Sequence, residues 1–308
     1  MTNEKKCKFV SSRGIAFHCD HYPKKIVSDG YFFDLKDYQN IKNGDSVYVV
    51  STVLNKFLKY IFPVLVKNKT RIVLVTGASF LSVPHELGNY HNLNYVTFFQ
   101  KNRYYFIQWF AQNCQDSCNN LITPVPLGMD YHTLQTKEHY WGPKQTAEEQ
   151  EKGLHNVISN FQEKRQEKKI HCFSYFHFAM FNRHGRDRYL AKKQLENSSF
   201  NTFLNIRKPR LDLWKKCIEY SFIISPHGNG LDCHRTWEAI ALGCIPVVRT
   251  SNLDTLYDGL PVLIVEKWED LTHDVLKETV YAFSKKTFNM EKITLNYWKN
   301  LISSASDV

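Results

Sequence analysis

The chain has 308 residues, of which 43% are hydrophobic, 14% aromatic and 23% charged, and its formal net charge is +10 at pH 7. These fractions exclude an intrinsically disordered chain, and the length suits one large or two ordinary α/β domains, of which two are favoured here. The positive charge favours acidic partners, which include nucleic acid, an anionic membrane surface and a phosphorylated small molecule.

Targeting and cysteine signals indicate a soluble, cytoplasmic protein. No segment reaches the roughly 18 uninterrupted apolar residues that a membrane span needs, and no apolar stretch follows the basic N-terminus. The 8 cysteines are scattered, which favours free buried thiols over a disulfide framework. Cys114 and Cys118 form a close pair, but without a matching second pair they are a weak zinc signal.

The first half of the chain predicts strands that alternate with helices. Apolar runs predict strands at 14–17, 46–50, 71–76 and 95–99. Helical spacing predicts a helix over 54–65, which Pro63 should kink or shorten, and another over 103–110, whose aromatic side chains fit a core better than a ligand platform. This recurrence favours an α/β fold with a doubly wound sheet.

Titratable side chains follow the first predicted strand. His18, Asp20 and His21 lie within four residues and form a candidate catalytic loop, although a polar turn closed by Pro23 explains them equally well. In open α/β sheets the loops after the carboxyl ends of strands carry ligands.

By the same rule, the loop after the strand at 71–76 contributes candidate residues. Ser79 and His85 are candidates for acceptor binding, and Glu86 joins the candidate bases.

The composition changes between residues 140 and 169, where Glu, Gln and Lys dominate. We interpret 141–169 as a linker with an amphipathic helix, between an N-terminal domain at 1–140 and a C-terminal α/β domain at 170–285. The remaining 286–308 predict a C-terminal helix that packs back on the first domain.

A basic loop follows the first strand of the second domain. Arg183, His184, Arg186 and Arg188 surround a glycine directly before a predicted helix. An exposed basic turn would look the same, but the position after a strand favours an anion site.

The stretch 222–248 reads FIISPHGNGLDCHRTWEAIALGCIPVV and predicts strand, loop, helix and strand. Asp232 is the predicted N-cap of the helix, and Gly243 is its predicted left-handed C-cap. A glycine-rich loop that enters a helix N-terminus presents backbone N–H groups and the positive end of the helix dipole, so this stretch predicts a phosphate site.

Arg235 and Glu238 are three residues apart and therefore share a helix face. An arginine there suits a diphosphate, and a glutamate one turn on can accept hydrogen bonds from ribose hydroxyls. A surface ion pair is the alternative. The spacing does not match a dinucleotide fingerprint or a P-loop, but Arg249 would suit a 2′-phosphate, so an NADP-linked oxidoreductase stays open.

The segment PHGNGLDCHRTWEAIALGCIPVV resembles the signature of the exostosin-like glycosyltransferases, in the soluble microbial or large-DNA-virus type. The resemblance is dense over this stretch and looser elsewhere. It implies a GT-B fold, in which two Rossmann-like domains face each other across a cleft, with the acceptor on the first and a nucleotide sugar on the second.

The resemblance further implies an inverting, metal-independent transfer of a hexose, or a pentose such as xylose, from a UDP-sugar to a glycan or glycoprotein hydroxyl. No cofactor is obligatory. A retaining GT-B enzyme, and less readily a nucleic-acid binder, remain alternatives. The donor-binding residues expected are Arg183, His227, Gly228, Asn229, Gly230, Asp232, His234, Arg235 and Glu238.

The base has no family motif in this chain, so it is chosen on chemical grounds. We expect it to lie in the N-terminal domain, across the cleft from the phosphates. Asp20 is the first choice, His18 or His21 the second and Glu86 the third. Loss of turnover with retained UDP binding in Asp20→Asn would support the first choice.

Overall fold

The computed structural model describes residues 4–115, 122–176, 180, 183–184 and 186–307, and all statements below refer to these. The strands are β1 Ser46–Val50, β2 Ile72–Gly77, β3 Phe106–Gln112, β4 Ile122–Val125, β5 Lys169–Ser174, β6 Asn201–Phe203, β7 Tyr220–Ile224, β8 Ile245–Arg249 and β9 Leu263–Val265. The α-helices are α1 Ser12–His18, α2 Leu54–Tyr60, α3 Phe62–Asn68, α4 His85–His91, α5 Tyr95–Lys101, α6 His132–Thr136, α7 Ala147–Glu163, α8 Asp187–Leu195, α9 Arg210–Cys217, α10 His234–Ala241, α11 His273–Ser284 and α12 Leu295–Ser304.

The chain forms two compact units, and each draws on more than one part of the sequence. The N-terminal unit comprises Val10–Leu127, Ser251–Leu256 and Thr294–Val308. The C-terminal unit comprises Met1–Phe9, Gly128–Thr250 and Tyr257–Ile293. The division thus falls at residue 127 rather than after 140, because α7 and the segment before it pack within the C-terminal unit. Helix α12 belongs to the N-terminal unit, where it contacts α1.

Each unit is built on a parallel sheet, which confirms the α/β class with two Rossmann-like domains. In the N-terminal unit the order is β1-β2-β3-β4, and every neighbouring pair is parallel. All residues of β1 and β2 are buried, as expected for strands covered on both faces.

The C-terminal sheet has the order β6-β5-β7-β8-β9, also all parallel. The chain adds β6 on one side of β5 and then returns to add β7 on the other side. The winding therefore reverses between β5 and β7, which is the feature of a doubly wound sheet at which a crevice opens beyond the strand ends.

Two predicted strands in the N-terminal unit are wrong, because both segments form helices. Residues 14–17 belong to α1, where the Ser11 side chain accepts a hydrogen bond from the Gly14 N–H and caps the helix. Residues 95–99 belong to α5, which Asn94 caps in the same way. Short apolar runs do not distinguish strand from helix, and in both segments the capping side chain stabilises the helix.

The helix predicted over 103–110 is also wrong, because most of it is strand β3. Trp109 and Phe110 are both buried, so the run lacks the alternation of a half-exposed strand. The indole Nε1 of Trp109 donates to Thr76 Oγ1 on the neighbouring strand at 2.9 Å. The aromatic run is core, as expected. The helix predicted over 54–65 is divided into α2 and α3, with Pro63 in the first turn of α3.

The expectations for membrane spans and cysteines can be compared with the described residues. Within them, no helix combines the length and apolar character needed to cross a membrane. All cysteines described are free thiols, and all but Cys233 are buried. Cys118 lies outside the described residues.

Helix α7 is anchored by a buried acid. Glu151 accepts hydrogen bonds from the backbone N–H groups of Lys8 and Phe9, both at 2.9 Å, and from the hydroxyl of Tyr131 at 2.8 Å. It ties the start of the chain to the middle of the C-terminal unit.

Replacing Glu151 by alanine is expected to lower the free energy of unfolding by about 3 kcal/mol, because three donors, two of them in buried hydrogen bonds, lose a charged acceptor. Urea denaturation followed by tryptophan fluorescence measures this change.

Glu148→Ala is the matched control on the same helix. Glu148 forms an exposed ion pair with Lys6 at 3.8 Å, and its removal is expected to change stability by no more than about 0.5 kcal/mol. Equal losses in both variants would contradict the anchoring role of Glu151.

Candidate functional site

The candidate anion site lies where the winding of the C-terminal sheet reverses. The loops that leave β5 and β7 both start at the carboxyl edge of this sheet, and β5 and β7 are neighbours. The first loop precedes α8, and the second, residues 225–233, precedes α10. General rules for open α/β sheets therefore favour ligand binding at this position.

The loop before α10 is compact and largely buried. The Gly228 N–H donates to the Gly230 carbonyl at 3.0 Å, and the His227 N–H donates to Asp187 Oδ2 at 2.9 Å. The His227 ring Nδ1 lies 2.9 Å from the Leu231 carbonyl oxygen. Asn229 is exposed at the tip. This bonding fixes the loop against the first residue of α8.

The predicted N-cap of α10 is wrong. Cys233 holds that position and makes no side-chain cap. The Asp232 carboxylate is buried instead, where it accepts from the Trp237 indole at 2.9 Å and from the Cys233 N–H at 2.8 Å. The first turn of α10 thus keeps backbone N–H groups that this side chain does not cap. Gly243 has φ +67° and follows the helix in the predicted left-handed conformation.

Arg188, on α8, lies directly against Gly228. Its Nε donates to the His227 carbonyl at 3.2 Å. A Cβ at position 228 would come within 2.7 Å of Arg188 Nη2, so glycine is what allows this guanidinium to lie on the loop. Burial lowers the pKa of Arg188, and the nearby charge of Arg235 lowers it further.

Arg235, on α10, is half-buried and stacks on aromatic rings. Its guanidinium carbon lies 5.1 Å from the Tyr175 ring centroid and 5.8 Å from that of Phe176. Its Nε and Nη1 atoms are buried, yet among the described residues no acceptor lies within hydrogen-bonding distance of either atom. A buried cation whose N–H donors have no acceptor costs free energy unless an anion accepts hydrogen bonds from it and neutralises its charge.

The acid of α8 that binds the backbone of this loop is already engaged. Asp187 is buried and accepts hydrogen bonds from Arg249 Nη1 at 3.1 Å, from the Trp268 indole at 2.8 Å and from the His227 N–H. Asp187 is therefore committed to these donors. Arg188 and Arg235 form a pair of like charges beside the loop, and this pair favours an anion.

Glu238 faces the interior of the C-terminal unit. Its Oε2 accepts from the Trp214 indole at 3.2 Å, and its Oε1 lies 4.0 Å from Arg210 Nε. It is not paired with Arg235 in any ion pair of the described residues. The ribose contact stays a prediction. Arg183 lies exposed in the turn before α8.

A second polar cluster lies beside the first turn of α10. The carboxylate of Asp130 is buried, and its Oδ1 lies 3.1 Å from His132 Nδ1. The ring of His132 lies 5.8 Å from that of His234, between centroids, and His234 Nδ1 lies 2.7 Å from the Gly128 carbonyl. Burial acts to raise the pKa of Asp130, but His132, His234 and Arg210 outweigh it and hold the pKa well below its usual range.

These three side chains also meet the distance criterion for a metal site. Their ligand atoms lie within 4.8 Å of one another. However, Asp130 Oδ1 also accepts from the Thr133 N–H, while Oδ2 accepts from the Thr133 hydroxyl and pairs with Arg210 at 3.4 Å. The carboxylate is thus surrounded by donors, one of them cationic. This environment fits an aspartate–histidine pair better than a metal ligand.

In the N-terminal unit, the first-choice candidate bases lie at the amino end of β1. The Asp20 carboxylate accepts from the Ser46 N–H at 2.9 Å and from the Ser46 hydroxyl at 2.7 Å. His21 Nε2 lies 2.8 Å from Asp45 Oδ2. Ser46 begins β1, so these groups lie at the opposite edge from the ligand-binding ends of a parallel sheet. His18 is the last residue of α1.

The remaining candidates of this unit follow β2, as expected. Glu86 Oε2 accepts from the Ser82 N–H at 2.8 Å, and Ser79 Oγ donates to Asp29 Oδ1 at 2.7 Å. His85 is exposed and lines a cavity of about 560 Å³ together with Asn89 and other residues of α4 and α5. This volume suits a small ligand, and acceptor binding there stays a prediction.

Sequence reasoning placed Arg188 in the predicted basic anion loop, but it did not select Asp130 or His132 as site residues. Arg188 was visible as part of the basic loop, but nothing in the sequence showed its contact with Gly228. The Asp130-x-His132 spacing is short, and only the fold reveals that both residues lie beside His234.

No protein-family model matches the chain, and no curated protein matches it. Several solved structures are similar to it, and a phosphatase domain and a glycosyltransferase are two of them. The N-terminal domain of Candida albicans trehalose-6-phosphate phosphatase aligns with 9% identity and a TM-score of 0.38, over 88% of this chain and 68% of that one. WaaG, a glycosyltransferase involved in lipopolysaccharide biosynthesis, aligns with 12% identity and a TM-score of 0.28, over 85% of this chain and 86% of WaaG. Similarity this distant does not indicate the function of this chain.

Gly228→Ala is expected to weaken the binding of inorganic pyrophosphate at least tenfold while the fold is retained. The new methyl group would displace the Arg188 guanidinium, which is the flexible end of a side chain and can move at little cost in stability. Isothermal titration calorimetry measures the affinity.

Gly153→Ala, in helix α7, provides the control, since a Cβ there would meet Leu211 of α9 at 3.5 Å, an ordinary van der Waals contact. Its pyrophosphate affinity should equal that of the wild type. Unchanged affinity in Gly228→Ala would exclude Arg188 from the anion site.

Proposed function

We propose that the protein is a glycosyltransferase that binds a nucleoside diphosphate sugar at the anion site of the C-terminal unit. The observation that carries this proposal is Arg235, whose buried Nε and Nη1 have no acceptor among the described residues. Arg235 lies near Arg188 of α8, whose guanidinium contacts the glycine loop. A diphosphate supplies the acceptors that Arg235 Nε and Nη1 lack, and its negative charge suits the two neighbouring guanidinium groups.

The position of the two arginines supports a diphosphate over a single carboxylate. Arg188 approaches the loop from α8, and Arg235 lies in the first turn of α10, so the cations come from separate elements. The glycine loop and the helix N-terminus add backbone N–H groups and a favourable dipole. Two linked phosphates can use all of these groups together.

The remaining parts of the proposal rest on the resemblance of 222–248 to the exostosin-like glycosyltransferases. By that resemblance the donor is a UDP-sugar, Glu238 contacts the ribose, and the fold is of the GT-B class. The acceptor is a glycan hydroxyl, and transfer proceeds with inversion and without an obligatory metal. The anomeric configuration of the product distinguishes inversion from retention.

The leaving group gains negative charge as the glycosidic bond breaks. Arg188, Arg235 and the first turn of α10 would stabilise this charge on the departing diphosphate. An NADP-linked reaction finds less support, because Arg249 is held by Asp187 at 3.1 Å and would have to leave a buried acid to reach a 2′-phosphate.

Arg235→Ala is expected to reduce UDP affinity at least tenfold, because charge-assisted hydrogen bonds contribute about 1.5–3 kcal/mol each. Calorimetry with UDP measures this, and the affinity of the wild type should fall as salt concentration rises.

Arg207→Ala removes an exposed arginine of the same unit, which lies over the Tyr140 ring, and should leave UDP affinity unchanged. If Arg235→Ala binds UDP as well as Arg207→Ala does, the donor site lies elsewhere.

Glu238→Gln is expected to weaken UDP binding several-fold and to leave pyrophosphate binding unchanged, because only the nucleoside offers hydroxyl donors to this carboxylate. Parallel calorimetric titrations with the two ligands separate these effects. Equal losses for both would show that Glu238 acts through the fold rather than on the ribose.

A further inference from the structure

The pair formed by Asp130 and His132 has the geometry of an oriented imidazole. Asp130 Oδ1 lies 3.1 Å from His132 Nδ1, while 26% of the His132 side chain is exposed. Asp130 itself is buried and bonded by Thr133 and Arg210. A buried carboxylate on one ring nitrogen fixes the imidazole as the Nδ1–H tautomer, which makes Nε2 the basic atom.

The pair lies near the proposed donor site. The His132 ring packs beside His234, which is the first residue of α10, and Arg235 follows it in the same helical turn. The loop that leads into this turn leaves the carboxyl end of β7. The oriented imidazole is thus adjacent to the helix end that carries the proposed diphosphate contact.

We propose that His132 is the catalytic base that deprotonates the acceptor hydroxyl and that Asp130 positions it. This inference rests on the proposed function. The proton passes from the acceptor O–H to His132 Nε2, and the acceptor oxygen forms a bond to the anomeric carbon. The bond from that carbon to the diphosphate oxygen breaks, and its electron pair leaves with the diphosphate.

The candidates in the N-terminal unit have environments less suited to this step. The Asp20 and Glu86 carboxylates accept hydrogen bonds from nearby backbone and serine donors, an arrangement that stabilises local turns. His21 is also paired with an acid, Asp45, but this pair lies at the amino end of β1. The Asp130–His132 pair belongs to the same unit as the anion site and adjoins the first turn of α10.

Several charged groups surround the pair and determine its response to pH. Asp130 contacts His132 and pairs in turn with Arg210, and the His234 ring lies 5.8 Å from the His132 ring, between centroids. Arg210 in turn approaches Glu238 at 4.0 Å. His234 interacts with Asp130 too, so a pH profile must be compared between the wild type and a His132 variant.

The test compares His132→Gln with the wild type in two assays. UDP release from UDP-glucose and UDP-xylose, with and without sugar acceptors, should fall at least 100-fold in kcat, since general base catalysis contributes about 10²–10⁴-fold. UDP affinity by calorimetry should stay within twofold. The rise of kcat with pH should also disappear in the variant.

His155→Gln is the matched control, a half-buried histidine of the same unit whose ring stacks on Phe9 at 5.5 Å. It should retain wild-type turnover. Turnover of His132→Gln within threefold of the wild type would overturn the proposal, as would a parallel loss of UDP affinity, which would make His132 a phosphate ligand. A loss found in Asp20→Asn instead would return the base to the N-terminal unit.

A spectroscopic measurement tests the pair without any substrate. Nitrogen-15 NMR of the imidazole should show the neutral His132 protonated at Nδ1, and Asp130→Asn should change this tautomer while circular dichroism confirms folding. A proton on Nε2 in the wild type would overturn the assignment. Absence of UDP binding by the wild type would contradict the proposed function, and the tautomer would still report on the pair.

Discussion

The buried guanidinium of Arg210 connects the elements on which both candidate sites depend. It pairs with Asp130 at 3.4 Å, donates to Gln150 Oε1 at 2.7 Å and approaches Glu238 at 4.0 Å. Its flat faces are covered by aromatic rings, with Trp141 at 4.5 Å from the ring centroid. One side chain of α9 thus holds together α7, α10 and the start of α6. Buried charges of this kind are costly to separate, because each partner left alone loses both water and its counter-ion.

This arrangement leads to a division of roles among the charged groups of the C-terminal unit. Arg210 pairs with Asp130, and Arg249 pairs with Asp187. Arg188 of α8 and Arg235 of α10 instead lie close to each other, beside the glycine loop. Arg188 and Arg235 thus form a local concentration of positive charge at the carboxyl edge of the sheet. Its location, more than the net charge of the whole chain, favours a phosphorylated ligand over a nucleic-acid backbone, which would need an extended basic surface.

The sequence predicted the C-terminal unit well and the N-terminal unit less well. The stretch 222–248 contains its own boundaries in the form of Ser225, Pro226 and Gly243, so its strand, loop and helix could be located. The segments at 14–17 and 95–99 are short, and their side-chain caps, Ser11 and Asn94, outweigh the strand-like composition. Local composition cannot predict which of these effects prevails.

The same limit applies to the site. Arg235 could be selected as a candidate from the sequence because its position near the N-terminus of the predicted helix suits an anion. The roles of Asp187, Arg188 and His132 depend on contacts with residues far away in the chain, such as Arg249, Gly228 and His234, respectively. Asp232 is a residue type that commonly caps helices, but its carboxylate accepts a hydrogen bond from the Trp237 indole instead of capping α10.

The composite origin of the two units has a consequence for synthesis on the ribosome. Lys8 and Phe9 bind an acid 143 and 142 residues further along the chain, so the first segment must wait for α7 before it can be ordered. The N-terminal unit similarly includes α12, the last helix. The N-terminal unit therefore lacks part of its core until α12 has been synthesised, and the nascent chain exposes apolar surface, to which chaperones can bind, during that interval.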